Sequence, residues 1–273
     1  VYLLYNDQLI EEQQLRLPIT NRAFQYNDGF FETMILENGK LRFRSYHQER
    51  MHEAASVLRL SLPTELLSDE FEQQVLGLAE QNNCGYTARI KLKVWRSGEG
   101  LYTPQTNKAD WLLTAQPTHL SSSPENIKVG ICQTARTIVS PFSTFKGVNS
   151  PVYVMASIEK AERNLDDIII LDPDGNLAEL TYSNLFWVKG NTLHTSNLET
   201  GCLNGVMRRA LLSWATQQGW KIQEGKFKLE ELDGAELVFG GNVTGLRAIK
   251  ILEEQTFTTN ESLLSQIKEG ILV

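Results

Sequence analysis

Cysteine is scarce in this chain: three among 273 residues, Cys84, Cys132 and Cys202, far apart and odd in number. That spacing builds neither a disulfide framework nor a CxxC motif, so a reducing, cytoplasmic compartment is expected. Histidine is almost as sparse. His47, His52, His119 and His194 form no ligand cluster and lack the i, i+4 spacing of a zinc helix, so no metal is expected. No run approaches the ~18 apolar residues of a membrane-spanning helix, and no secretory leader is evident, so no membrane partner is expected. Positive charge is in deficit, with 26 Lys and Arg against 33 Asp and Glu, a formal net charge of -7. A broad nucleic-acid footprint is therefore not expected, which leaves room for a local basic site.

What is present is enough apolar material, 41% of residues, for one large domain or two smaller ones. In "FFETMILENGKLRFR" (30–44), Asn38-Gly39 separates two alternating runs, the signature of a hairpin with a type I′ turn. A helix is expected from about Ser45, with Met51, Ala54, Ala55 and Leu58 on its apolar stripe, and a second from Leu62 to Asn83. Two strands follow, in "TARIKLKVWRSG" and "ADWLLTAQP". "THLSSSPEN" concentrates Ser and Pro and interrupts the periodicity. The expected organisation is an N-terminal α+β domain at 1–117, a linker at 118–125 and a C-terminal α+β domain at 126–273. Strands and helices alternate in the second half without a βαβ rhythm. Its first clear helix has Ser150 as N-cap and Pro151 at the first helical position.

Lys146 lies in a polar loop, "PFSTFKGVNSP", just before that helix. Taken alone it is a solvated charge. Glu179, in a later strand, opens a second reading, although Lys and Glu are common on any surface. An amine that bonds covalently to an aldehyde and a carboxylate that keeps a pyridine nitrogen protonated are the two needs of pyridoxal phosphate chemistry. "LNGVMRR" opens a helix at Gly205, where the N–H groups of Gly205, Val206 and Met207 suit an anion. "GGNVTG" (240–245) is a second donor-rich turn, and Arg50 in "HQER" is a candidate phosphate fork. In the strand at 86–96, Arg89, Lys91 and Lys93 share one face, a cationic wall for carboxylates or simply a solvated face.

Together these segments resemble the fold-type IV pyridoxal-phosphate enzymes, a family of branched-chain aminotransferases, D-amino-acid aminotransferases and 4-amino-4-deoxychorismate lyases. The resemblance runs through "NRAFQYNDGFFET", "HQER", "FKGVN", "AELTYSNLFWVKGN", "LNGVMR" and "GGNVTGLRAI", nearly the whole chain. It implies two α+β domains with pyridoxal 5′-phosphate between them, usually as a homodimer. It implies Lys146 as the Schiff-base lysine and Glu179 as the partner of the ring nitrogen. Arg50, Asn184, Gly205, Val206, Met207, Asn242 and Val243 are implied as further cofactor contacts. Within the family the wording leans towards the lyase, which makes 4-aminobenzoate and pyruvate. Thr33 sits where lyases carry a threonine for proton transfer, Arg89 where they carry a basic residue, and Phe31 and Lys91 are candidate substrate neighbours. An aminotransferase acting on branched-chain or D-amino acids is the alternative, and an inactive cofactor-binding relative is a third reading. Glu99 stands where the lyase pattern has arginine, and Arg247 is a candidate to replace that contact.

Overall fold

The computed structural model describes residues 1–118 and 126–271; all but the first residue of the expected linker lie outside them. The chain divides into two units, Val1–His119 with Phe145–Asn149, and Leu120–Thr144 with Ser150–Val273.

The first unit contains β1 (Tyr2–Tyr5), β2 (Gln8–Glu11), α1 (Arg22–Tyr26), β3 (Gly29–Glu37), β4 (Lys40–Leu41), α2 (Arg44–Leu58), α3 (Glu70–Gln81), β5 (Thr87–Arg96) and β6 (Ala109–Pro117). Its sheet has the order β2-β1-β6-β5-β3-β4, antiparallel throughout. Period-two alternation sets the faces. Ala88, Ile90, Leu92 and Val94 of β5 are fully buried and pack with Met34 and Leu36 of β3. Met51 and Ala54 of α2 and Phe71, Val75 and Leu78 of α3 complete this core. Each large apolar side chain so buried contributes about 1.5–3 kcal/mol. Asn38 and Gly39 both adopt positive φ (50° and 78°), and the hairpin pairs Glu37 with Lys40.

Two helix starts differ from expectation. Ser45 lies inside the first turn of α2, and the N-cap is Phe43 in left-handed backbone (φ 55°). The second expected helix breaks into a 3-10 turn at Thr64–Leu67 and α3, with Arg44 holding the break through Asp69 Oδ1 and the Ser68 carbonyl, both at 2.7 Å.

The second unit contains β7 (Asn126–Arg136), α4 (Pro151–Glu162), β8 (Asp167–Leu171), β9 (Leu177–Leu180), β10 (Asn184–Lys189), β11 (Thr192–Ser196), α5 (Val206–Gln217), β12 (Lys221–Gly225), β13 (Leu237–Asn242), β14 (Gly245–Leu252), β15 (Gln255–Thr256) and α6 (Glu261–Ile271). Its sheet runs β12-β11-β10-β13-β14-β7-β8-β9, and β9 pairs back onto β10 through Glu179 and Asn184. That pairing closes the path into a ring and places two expected site residues opposite one another. Pro151 occupies the first turn of α4, and Ser150 is its N-cap without a side-chain capping bond. Helix α4 is anchored through Glu159, whose carboxylate accepts from the backbone N–H groups of Gln133 and Thr134 and from the Thr134 hydroxyl.

The expectation of an unbroken second domain from 126 to 273 is corrected at five residues, Phe145–Asn149. Phe145 is 2% exposed within the first unit's core. The Phe31 N–H donates to the Lys146 carbonyl at 2.8 Å, and the Val148 N–H to the Gly29 carbonyl at 3.3 Å. Backbone pairing with β3 therefore places Lys146 in the first unit, although its sequence neighbours belong to the second.

Candidate active site

Along β3 the side chains of Phe30, Glu32, Met34 and Leu36 point into the first unit's core phase, and those of Phe31 and Thr33 point to the other face. A carboxylate at a core position has to be paired. Glu32, 1% exposed, accepts from Arg50 Nε at 2.7 Å and Nη2 at 2.6 Å, and lies 2.7 Å from His47 Nδ1. Burial alone would raise the Glu32 pKa, but the Arg50 charge and the hydrogen bonds from His47 and Arg50 hold it down to about 2. Burial pushes His47 below its ordinary value against the pull of Glu32, so the ring is neutral, with the proton assigned to Nδ1 by its carboxylate neighbour. The bidentate fork uses one edge of the Arg50 guanidinium, and Nη1, on the outer edge, is outside it.

Removing this carboxylate leaves a buried guanidinium without its counter-charge. Glu32→Gln is expected to lower stability by about 3–5 kcal/mol in urea unfolding at pH 7. The pH dependence has a definite sign. A depressed folded-state pKa means the Glu32 contribution is complete above its ordinary 4.5 and drains as pH falls towards 2. His47 adds loss in the same direction, beginning near its ordinary 6.5. The gap in urea midpoint between wild type and Glu32→Gln should therefore narrow between pH 7 and pH 3, and a constant gap would contradict the buried ion pair.

The opposite face of the sheet is cationic. Thr33 pairs in register with Lys91, and Phe31 with Lys93. The Lys146 ammonium lies 5.6 Å from the centre of the Phe31 ring and the Lys91 ammonium 4.9 Å. Burial, then the charges of Lys93 and Arg89, push the Lys91 pKa below its ordinary value. Arg89 and Lys93 are exposed on either side of half-buried Lys91. Phe31, Thr33, Lys91 and Arg89 share one face with Lys146, and the Lys146 charge also reaches His47 beside Glu32 and Arg50, adding to the downward push on that ring.

In the second unit Glu179 is 2% exposed at the sheet closure. Its carboxylate accepts from the Tyr153 hydroxyl at 2.7 Å and the Leu203 N–H at 3.2 Å. Burial, with the Glu179 charge, pushes the Cys202 thiol up to about 12, which rules out a thiolate role there. The Asn184 amide donates to the Leu203 carbonyl at 2.8 Å and so holds the loop leading into α5. A Cβ on Gly205 would stand 2.1 Å from Asn184 Oδ1, so only glycine fits where α5 begins. No side chain caps that start, and the first N–H groups of a helix have no partner within it, which suits an anion.

The structure places the other expected contacts as follows. The Asn242 side chain is saturated, donating to the Tyr182 carbonyl and Ser183 Oγ and accepting from the Thr244 N–H and hydroxyl, so the side chain shapes its turn and leaves contacts there to the backbone. At Val243, in that turn, only backbone groups are polar. Asn184 likewise acts through the loop it holds. Arg247 is not a spare carboxylate receptor: it pairs at 2.8 Å with Asp167, which is fully buried, and stacks on Tyr182 at 4.8 Å. Glu99 accepts from the Thr20 hydroxyl at 2.9 Å. The residues missed from sequence are Glu32, His47 and Tyr153. Glu32 had a visible signal, a charge in the apolar phase of a strand; Tyr153 had none.

Each unit taken by itself offers groups of the kind pyridoxal 5′-phosphate needs: the first a lysine amine and an arginine, the second a buried, hydrogen-bonded carboxylate and a glycine-led helix start without a side-chain cap. The chain matches the family described as amino-transferase class IV over residues 29–252, and it belongs to that family. It is accordingly a pyridoxal-phosphate enzyme of the lyase or aminotransferase kind. It is 28% identical over 232 residues to aminodeoxychorismate lyase of Vibrio harveyi, covering 83% of each chain. It is 27% identical over 231 residues to a probable branched-chain-amino-acid aminotransferase of Rickettsia felis, covering 84% of this chain and 78% of that one. The crystal structure of 4-amino-4-deoxychorismate lyase from Pseudomonas aeruginosa superposes with a TM-score of 0.84 at 25% identity, covering 98% of this chain and 97% of the other. No helix among the described residues is long and apolar enough to cross a membrane, and no metal-binding cluster occurs among them.

Proposed function

We propose that the protein is a 4-amino-4-deoxychorismate lyase, releasing 4-aminobenzoate and pyruvate. The observation that carries this reading is the face around Lys146, where Phe31 contacts both Lys146 and Lys91 and Thr33 is the register partner of Lys91. Cations and a hydroxyl suit a substrate with several carboxylates and a leaving group to protonate. A branched-chain substrate would want that face apolar.

Bound pyridoxal phosphate supplies an aldehyde for the substrate amine and a ring that delocalises the electron pair left at the amine-bearing carbon. Lys146, whose amine would hold the cofactor at rest, would take up the proton from the amine-bearing carbon. Glu179, an anion held by Tyr153 and Leu203, keeps a proton at the ring nitrogen. Thr33 passes a proton to the departing enolpyruvyl group, which leaves as pyruvate, and the remaining ring becomes aromatic. Arg89 and Lys91 orient the substrate carboxylates.

Near-equal identity to the two kinds of relative keeps an aminotransferase as the second reading, and Glu99, held by Thr20, is the observation in its favour. Burial and hydrogen bonding of Glu179 argue against an inactive relative. We further propose a cytoplasmic homodimer. Three buried, unpaired cysteines support the compartment. Val154, Met155 and Ile158, each about half exposed on α4, support a second copy as partner.

Assay of purified protein with aminodeoxychorismate, beside a panel of L- and D-amino acids with 2-oxoglutarate, tests the reading. Thr33→Ala should lower kcat with cofactor binding unchanged, since the hydroxyl acts in proton transfer. Arg89→Ala should mainly raise KM, by roughly 10- to 150-fold for a lost charge-assisted contact. Turnover of ordinary amino acids without 4-aminobenzoate would favour the aminotransferase.

A further inference from the structure

Tyr153 lies in the first turn of α4, two residues after Pro151, and its ring packs on the cluster of Cys132, Ala156, Ile168 and Ile170. Core packing thus sets where its hydroxyl points, and it points at Glu179 Oε1, 2.7 Å away. The Leu203 N–H meets the other oxygen at 3.2 Å. Two donors on two oxygens define the plane of a carboxylate, which a single donor does not. Burial, then the Glu179 charge and the hydrogen bond to it, push the Tyr153 hydroxyl well above its ordinary 10.0, so it keeps its proton and donates across the physiological range. The backbone beneath Glu179 is fixed as well, by pairing with Asn184. The side-chain torsions are then the remaining freedom, and the tyrosine removes it.

We infer that Tyr153 is a positioning residue for Glu179, its hydroxyl setting the plane in which the carboxylate meets the cofactor's ring nitrogen. This rests on the reading of Glu179 as the partner of that nitrogen. Phenylalanine keeps every ring contact and removes only the donor, so Tyr153→Phe isolates the hydroxyl.

The test uses the full chain as wild type, Tyr153→Phe, Glu179→Gln and the double variant. Two probes are titrated: pyridoxal phosphate and its 1-deaza analogue, in which a C–H replaces the ring nitrogen. Binding is read from quenching of the chain's 5 tryptophans, and melts without cofactor confirm folding. The wild type should prefer pyridoxal phosphate. Tyr153→Phe should cut that preference at least about threefold, and by nothing more once Glu179 is already Gln, because the hydroxyl acts through the carboxylate. Turnover should show a lower kcat at nearly constant KM. Equal weakening for both probes, or an undiminished effect in the Glu179→Gln background, overturns the positioning role while leaving Glu179 in place. Absence of any preference in the wild type overturns the assignment of Glu179 and the role of Tyr153 with it.

Discussion

Lys146→Ala is expected to lose the visible absorbance band of bound cofactor and to lower turnover at least about 10⁴-fold, with the fold intact. The fold survives because the backbone of this segment, not the Lys146 side chain, holds it. The Lys146 carbonyl accepts from Phe31 N–H, and Phe145 is buried in the first unit's core. The side chain adds the contact with the Phe31 ring, worth about 0.5–1 kcal/mol when exposed to solvent. Turnover collapses because one amine has two tasks, carrying the cofactor and moving the substrate proton. Borohydride reduction of the loaded wild type, followed by peptide mapping, should place the label on Lys146. A label on Lys91, the other ammonium against Phe31, would move the assignment there.

Glu179→Gln should retain cofactor yet lose turnover by about 10² or more, the scale of removing a group that acts on transition-state charge. An amide cannot keep a pyridine nitrogen protonated. It also fits its surroundings poorly. Tyr153 and Leu203 each aim a hydrogen at a different oxygen of the carboxylate, and an amide offers one oxygen and one donor. One of those donors therefore loses its acceptor, and a modest fall in melting temperature should accompany the loss of rate. Near wild-type rates would mean that another residue partners the ring nitrogen.

Both residues were singled out before any coordinates, and their roles are the proposal that these variants test. Lys146 stood out by its place before a Pro-led helix and Glu179 by the wording around it, since covalent chemistry and electron withdrawal require those side-chain types. Gly205 could be read because a helix start that must meet an anion has no room for a side chain, and the structure shows Asn184 filling that space. The partners of Asn242 and Arg247 were not legible, for a common reason. A polar side chain declares what it is able to bind, but not what it already holds, and Thr244 and Asp167 had satisfied them first.

Element types followed from alternation, helical spacing and turn residues, because those signals are local: the Asn38-Gly39 hairpin and the buried phase of β5 are set by a few neighbouring residues. The sequence by itself also determined the cofactor class, because its motifs, taken together in order and spacing, resemble those of the fold-type IV pyridoxal-phosphate enzymes. Tertiary structure alone decided the rest. It gave Phe145–Asn149 to the first unit, through backbone bonds to a strand more than a hundred residues earlier. It put Glu32 between Arg50 and His47 and brought Tyr153 to Glu179. Such pairings depend on which faces of distant elements meet. That is fixed by packing the whole core, and no window of neighbouring residues contains it.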